Sequence, residues 1–192
     1  MDAKPFPLNA WYAAAWSHEI KHELAARTVC EKDIVLYRRS DGEIAALEDA
    51  CWHRLLPLSL GHLRGDEVVC GYHGLVFNAA GRCTYMPAQD TINPSACVRA
   101  YPLVERHRLV WVWMGDPALA DPARIPDLHW NSDEAWAGAA ATVTESAVRR
   151  TIARVRLDTE LFLSRRRRLI VVCIPRQWQS SSTCIHSDVN IH

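Results

Sequence analysis

The sequence predicts a mainly β chain: a small antiparallel barrel or sandwich, then a linker, then an incomplete or irregular C-terminal segment. Three observations carry this expectation. Short apolar runs recur every ten to fifteen residues over the first 115 positions, each closed by Gly, Asp or Asn turn chemistry. Helical periodicity over the same stretch is weak. Past Arg149 the composition changes abruptly.

Taken in order, the only helix signal lies within residues 16–25. Residues 33–38 (Asp-Ile-Val-Leu-Tyr-Arg) and 43–48 (Glu-Ile-Ala-Ala-Leu-Glu) predict two strands, and Ser40-Asp41-Gly42 between them predicts a hairpin turn. Val68-Val69 and Leu75-Val76-Phe77 predict further short strands, the second followed by a turn over Asn78 to Gly81. Leu109 to Trp113 predicts another, closed by Gly115-Asp116-Pro117. Trp111 and Trp113 flank Val112 at strand spacing, so they share a face and are expected in packing. From Asp116 to Trp136 the chain is rich in Pro, Asp and Ala and predicts an exit and linker. The expected division is 1–115 as the first domain, 116–148 as linker and start of a second, and 149–192 as a basic tail.

Composition narrows the function classes. With 192 residues, 49% hydrophobic and 23% charged, the chain is long enough for one domain with a real core. A formal net charge of zero gives no reason to expect nucleic acid or an acidic membrane as partner. The N-terminus lacks a signal-peptide apolar core, and no apolar run reaches bilayer-spanning length, so a cytoplasmic location is the expectation. Seven cysteines, an odd number, favour reduced thiols or metal ligands over a disulfide framework.

Chemistry concentrates in residues 51–73. Cys51-Trp-His53 is followed, after sixteen residues, by Cys70-Gly-Tyr-His73. Each half sets a thiol and an imidazole on a short loop, so the two halves can grip one group from two sides. Two Cys and two His at fixed offsets arise by chance in roughly half a percent of such chains. In a Rieske [2Fe–2S] centre two cysteines hold one iron and two histidines the other. A Cys2His2 zinc site is the rival reading, although zinc fingers usually pair Cys with Cys and His with His. Cys51, His53, Cys70 and His73 are therefore the candidate metal and cofactor ligands; no catalytic residue is assigned. Around them Pro57 can stiffen the first loop, and Gly71 and Gly74 let backbone N–H groups come close. Tyr72 could hydrogen-bond a sulfur or be a surface aromatic; Arg54 could pair with a carboxylate or be solvated. Cys30, Cys83 and Cys97 lack a matching His and are expected to be small buried groups. His18, His22, His62, His107 and His129 are expected at the surface.

From about Leu8 to Trp136 the chain resembles the N-terminal part of Rieske non-haem iron oxygenases, most of all the vanillate O-demethylase oxygenase component and its relatives. The residues that carry the resemblance are Asn9-Ala-Trp-Tyr12, Glu48-Asp49-Ala-Cys-Trp-His-Arg54, Pro57-Leu-Ser-Leu-Gly61, Cys70-Gly-Tyr-His-Gly-Leu75, Met86-Pro87 and Trp111-Val-Trp-Met-Gly-Asp116. Where that family has Cys-Pro-His, Trp52 stands here. The resemblance implies a [2Fe–2S] cluster, a mononuclear Fe(II) in a separate catalytic domain, and an NAD(P)H-dependent flavin/iron–sulfur reductase as electron donor. It also implies an aromatic acid substrate, O-demethylation with formaldehyde release, and a homotrimer. A stand-alone Rieske ferredoxin and a non-functional truncated product are the alternatives.

The resemblance stops where the second iron would be held. The family carries an Asp-x2-His-x4-His there with a later Asp, a facial triad with open positions for O₂. Past Ala137 this chain has only His186 and His192, neither with Asp three residues before it. Residues 149–192 hold nine Arg, no Lys and three acids, a net +6 that leaves −6 for residues 1–148. Four of those Arg are consecutive (165–168), and the one patterned run is Leu169 to Ile174. Such a composition is expected from a GC-rich gene read out of frame from about codon 145. Another frame of the same DNA should then encode Asp-x2-His-x4-His and more than about a hundred further residues, the span a catalytic domain needs. The coding DNA decides it: if all three frames lack the motif, the segment is a genuine basic extension.

Overall fold

The computed structural model describes residues 6–87, 89–132, 136–143 and 168–175, the last two as backbone only. Its strands are β1 (Ala10–Trp16), β2 (Ala25–Val29), β3 (Lys32–Arg38), β4 (Ile44–Glu48), β5 (His62–Arg64), β6 (Glu67–Val69), β7 (Val76–Phe77), β8 (Cys83–Tyr85), β9 (Leu103–Arg106), β10 (Leu109–Met114), β11 (Trp136–Val143) and β12 (Arg168–Pro175). They form four antiparallel sheets, ordered β1-β10-β9, β2-β3-β4, β5-β6-β7-β8 and β11-β12. The mainly β, antiparallel expectation holds. The expected helix within 16–25 does not form. Ser17–Glu19 is a single 3-10 turn, and Ala25 already begins β2. Arg38 competes for this stretch, donating to the carbonyls of Ser17 and Ile20 at 2.8 and 2.9 Å.

Side-chain alternation explains the order of layers. Along β3 and β4, Val35, Tyr37, Ala45 and Leu47 point into one core, and Ile34, Leu36, Ile44 and Ala46 into a second. This sheet is thus covered on both faces, which is why its strands read as continuous apolar runs. The first core joins it to the β5–β8 sheet through Val68, Phe77, Leu58 and the two candidate ligands Cys51 and Cys70. The second joins it to the β1-β10-β9 sheet through Tyr12, Val110, Val112 and Met114.

The alternate residues of β10, Leu109, Trp111 and Trp113, turn outward with Trp11 and Trp16 into a third core. The exit segment seals that face. Ile125 packs on it, Trp113 Nε1–H donates to the Asp116 carbonyl, and Trp11 Nε1–H to that of Asp121, both at 2.7 Å. Arg124 lies over the Trp113 ring, 5.2 Å from its centroid. The Pro- and Asp-rich stretch expected as a linker is therefore a strap of one-turn 3-10 helices, at Pro117–Leu119, Pro122–Arg124 and His129–Asn131. Asp116 and Asp121 cap the first two turns. Beyond it, β11 and β12 pair from Trp136 opposite Pro175 to Val143 opposite Arg168, so the patterned Leu169–Ile174 run is a strand. The rest of the basic tail lies outside the described residues.

Candidate metal centre

The two candidate loops are built alike. In the first, Cys51 N–H donates to the Leu56 carbonyl and Leu55 N–H returns to the Cys51 carbonyl, each at 2.8 Å. In the second, Cys70 N–H donates to Leu75 at 2.8 Å and Gly74 N–H to Cys70 at 3.1 Å. Both close on a residue in the left-handed region: Gly74 at φ +72°, and Leu55 at +56°. Glycine adopts that conformation freely, whereas a leucine there costs about 1–2 kcal/mol.

Each loop buries its cysteine and lifts its histidine to the surface. Cys51 and Cys70 are 1% and 2% exposed, at the end of the first core, while His53 and His73 are exposed. The two imidazoles converge, with Nδ1 atoms 3.1 Å apart and ring centroids 4.6 Å apart. Two nitrogens bound to one first-row metal ion at about 2.0–2.1 Å each sit about 3.0–3.4 Å apart, so this pair already has the spacing of ligands on a single iron. The two thiols lie within hydrogen-bonding reach of each other.

Burial pushes the Cys51 thiol up to about 11, and the neighbouring Cys70 sulfur adds to the shift. Backbone N–H groups of His53 and Arg54 oppose it by donating to the Cys51 sulfur. At neutral pH this sulfur therefore carries a proton until a metal displaces it, and the same N–H groups then stabilise the thiolate. No group of three or more His, Cys, Asp or Glu among the described residues forms a single-ion site. The donors come as a buried sulfur pair and an exposed nitrogen pair. Such a set suits two irons of one [2Fe–2S] unit better than one tetrahedral zinc.

Glycine sets how close the loops come. A Cβ on Gly61 would stand 2.0 Å from the Val69 carbonyl oxygen, and one on Gly71 would stand 2.9 Å from that of Leu60. The 3-10 turn Leu58–Leu60 is thus wedged between the loops. Asp49 anchors it, Oδ1 accepting the Ser59 N–H at 2.7 Å and Oδ2 its hydroxyl at 2.6 Å. Sequence reading missed this clamp, because nothing in the spacing of an Asp and a Ser ten residues apart announces it.

The remaining expectations divide. Tyr72 lays its ring on His73, centroids 3.8 Å apart. Arg54 is exposed and makes no ion pair among the described residues. Cys97 is exposed, not buried as expected, since it pairs only by an isolated bridge to Arg82, which is itself exposed; Cys30 and Cys83 are half-buried. His18, His22, His62 and His129 are exposed, but His107 is half-buried, its Nε2 3.5 Å from Asp127.

Comparison with known proteins bears on the same stretch. The Rieske [2Fe-2S] domain family matches residues 10–102. The iron–sulfur subunit of a toluene-4-sulfonate monooxygenase system from Comamonas testosteroni is 48% identical over 132 residues, 68% of this chain and 38% of that one. A vanillate O-demethylase oxygenase subunit from Pseudomonas sp. (strain HR199 / DSM 7063) is 44% identical over 132 residues, 69% of this chain and 37% of that one. The crystal structure of dicamba monooxygenase with non-heme iron and dicamba superposes with a TM-score of 0.68 at 37% identity, over 81% of this chain and 50% of that one. The chain spans under two fifths of the length of the two sequence relatives.

Because the Gly61 contact is with backbone, Gly61→Ala must push the loops apart and is expected to abolish cluster incorporation. Gly61 itself sits at φ −90°, so the clash alone is at stake there; Gly65→Ala, at φ +59° with open space around it, should cost about 1–2 kcal/mol of backbone strain and keep the cluster. Iron and sulfide per chain after reconstitution check this; full loading of Gly61→Ala would contradict it.

Proposed function

Residues 10–102 belong to the Rieske [2Fe–2S] domain family, and on that premise we propose that this chain is the electron-transfer portion of an aromatic-ring or O-demethylating oxygenase. The observation that supports it is the segregation of donors, two buried sulfurs against two converging exposed imidazoles. Cys51 and Cys70 hold one iron and His53 and His73 the other. When bound, the cluster takes up and returns one electron, at about −150 to +300 mV for this ligand type.

The chain's own residues set that behaviour. Neutral imidazoles add no negative charge where thiolates would, and the N–H groups of His53 and Arg54 draw charge from the Cys51 sulfur. Both effects favour the reduced state. The buried cysteine side is closed to water by Leu58, Leu75 and Met86, so the imidazole edge is the side open to a redox partner.

We assign the donor as an NAD(P)H-dependent flavin/iron–sulfur reductase. The acceptor is a mononuclear iron for which neither the described residues nor the histidines past Ala137 supply ligands. The substrate class is a small aromatic acid, in line with the vanillate, dicamba and toluene-4-sulfonate named for the relatives. A stand-alone ferredoxin-like carrier is the second reading, in line with the Rieske [2Fe-2S] domain match to residues 10–102. No helix of the described residues is long and apolar enough to cross a membrane.

Anaerobically reconstituted protein should be red-brown, hold two irons and two sulfides, and give an EPR signal of low average g when reduced. A cluster-retaining His73→Cys variant should have a midpoint potential lower by on the order of 100 mV or more, since a thiolate replaces a neutral ligand. A colourless zinc protein, or an unmoved potential, would overturn the assignment. Given reductase and vanillate, the chain should accept electrons without releasing formaldehyde; a third iron with formaldehyde release would show a second metal site.

A further inference from the structure

Asp49 is the one buried charged side chain among the described residues, 8% exposed and two positions ahead of Cys51. No Lys, Arg or His stands within ion-pair distance of it among those residues; its carboxylate is satisfied by Ser59 alone, through the backbone N–H and the hydroxyl. A buried carboxylate without a counter-charge is expensive, and two charge-assisted hydrogen bonds are what offset it. Ser59 is the middle residue of the turn whose C-terminal end touches the second loop. Leu60 presents its carbonyl to Gly71, and Gly61 abuts the Val69 carbonyl one residue before Cys70. Leu58, fully buried, packs in the core that holds both cysteines. A continuous path of short contacts thus runs from the start of the first ligand loop, through Asp49 and Ser59, to the start of the second.

We propose that Asp49 is a positioning residue for the cluster, fixing through Ser59 the separation of the two ligand loops; the proposal rests on the cluster reading above. A comparison is built into the molecule. Asp66 clamps Ser40 by the same two bonds, at 2.7 and 2.6 Å, but at the exposed turn between β3 and β4. That clamp ties a hairpin tip to the β5–β6 turn and touches neither ligand loop.

The test uses the full chain loaded with its cluster, in wild type, Asp49→Ala, Asp49→Asn, Ser59→Ala, the Asp49→Ala/Ser59→Ala double variant and Asp66→Asn. Two quantities are read: the half-time of cluster loss to an excess of chelator, and the g values of the reduced EPR spectrum. Ser59→Ala and Asp49→Ala should shorten the half-time about tenfold or more, the usual effect of removing a group that orients metal ligands. Both should also move the g values, because the ligand pairs shift relative to each other. The double variant should be no worse than the single ones, as expected of residues acting in one path. Asp49→Asn keeps an acceptor for the Ser59 N–H and should recover part of the loss, while Asp66→Asn should match wild type. Should Asp49→Ala fail to fold, Ser59→Ala against Asp49→Asn carries the test. Wild-type half-times and g values in Ser59→Ala and Asp49→Asn would overturn the proposal. So would reduced thermal stability with unchanged g values, which marks a merely structural role, or additive losses in the double variant. A wild-type chain that takes up no cluster would instead overturn the cluster reading itself.

Discussion

Two backbone contacts too tight for any side chain, Gly61 on the Val69 carbonyl and Gly71 on that of Leu60, hold the two candidate ligand loops at a fixed separation. Everything distinctive about the site follows from that spacing. Loops of six residues cannot by themselves place four donors to within tenths of an ångström, since each is anchored only by its own two backbone bonds. Seated against each other across the Leu58–Gly61 turn, they bring two sulfurs together inside and two imidazoles together outside. Each donor then faces a partner of its own kind.

The layers behind the loops supply rigidity. The β3–β4 hairpin is apolar on both faces, and Ile34, Val35, Leu36, Tyr37 and Leu47 are wholly excluded from water. Close-packed side chains of this kind transmit displacement rather than absorb it. Cys51 and Cys70 belong to that core, so the positions of the sulfurs are set by packing. The imidazoles stand beyond the packed layer, where Tyr72 supports His73 and solvent meets the rest. A rigid, dry sulfur side and an accessible nitrogen side suit a centre that exchanges electrons with a partner without changing its own coordination.

Much of this was legible in the sequence, and the illegible parts have physical causes. The β3–β4 hairpin was readable because Ser40-Asp41-Gly42 offers turn chemistry, and Gly42, at φ +90°, makes that turn. The Cys51/His53 and Cys70/His73 pattern stood out because metal chemistry constrains residue type and spacing together, and the fold brings the four side chains to one place. Strand β1 was missed because Ala13, Ala14 and Ala15 blur its alternation and the register slips between Ala13 and Ala15. The helix expected near 16–25 lost to tertiary contacts, above all the Arg38 guanidinium, which also grips Glu105 of β9 with its two terminal nitrogens. The strap was read as a linker because its order comes from Asp caps and indole N–H bonds, which leave no hydrophobic period. The Asp49–Ser59 clamp joins two ordinary surface-type residues and becomes informative only once the loops are in place.

Mixed ligation is the central claim: two sulfurs on one iron, two nitrogens on the other. Electron spin-echo envelope modulation of the reduced protein, with and without ¹⁵N-labelled histidine, tests it most directly. Two strongly coupled nitrogens, both shifted by the label, are the result that His53 and His73 on one iron require. A spectrum with no strongly coupled nitrogen, or one unaffected by labelled histidine, would contradict it.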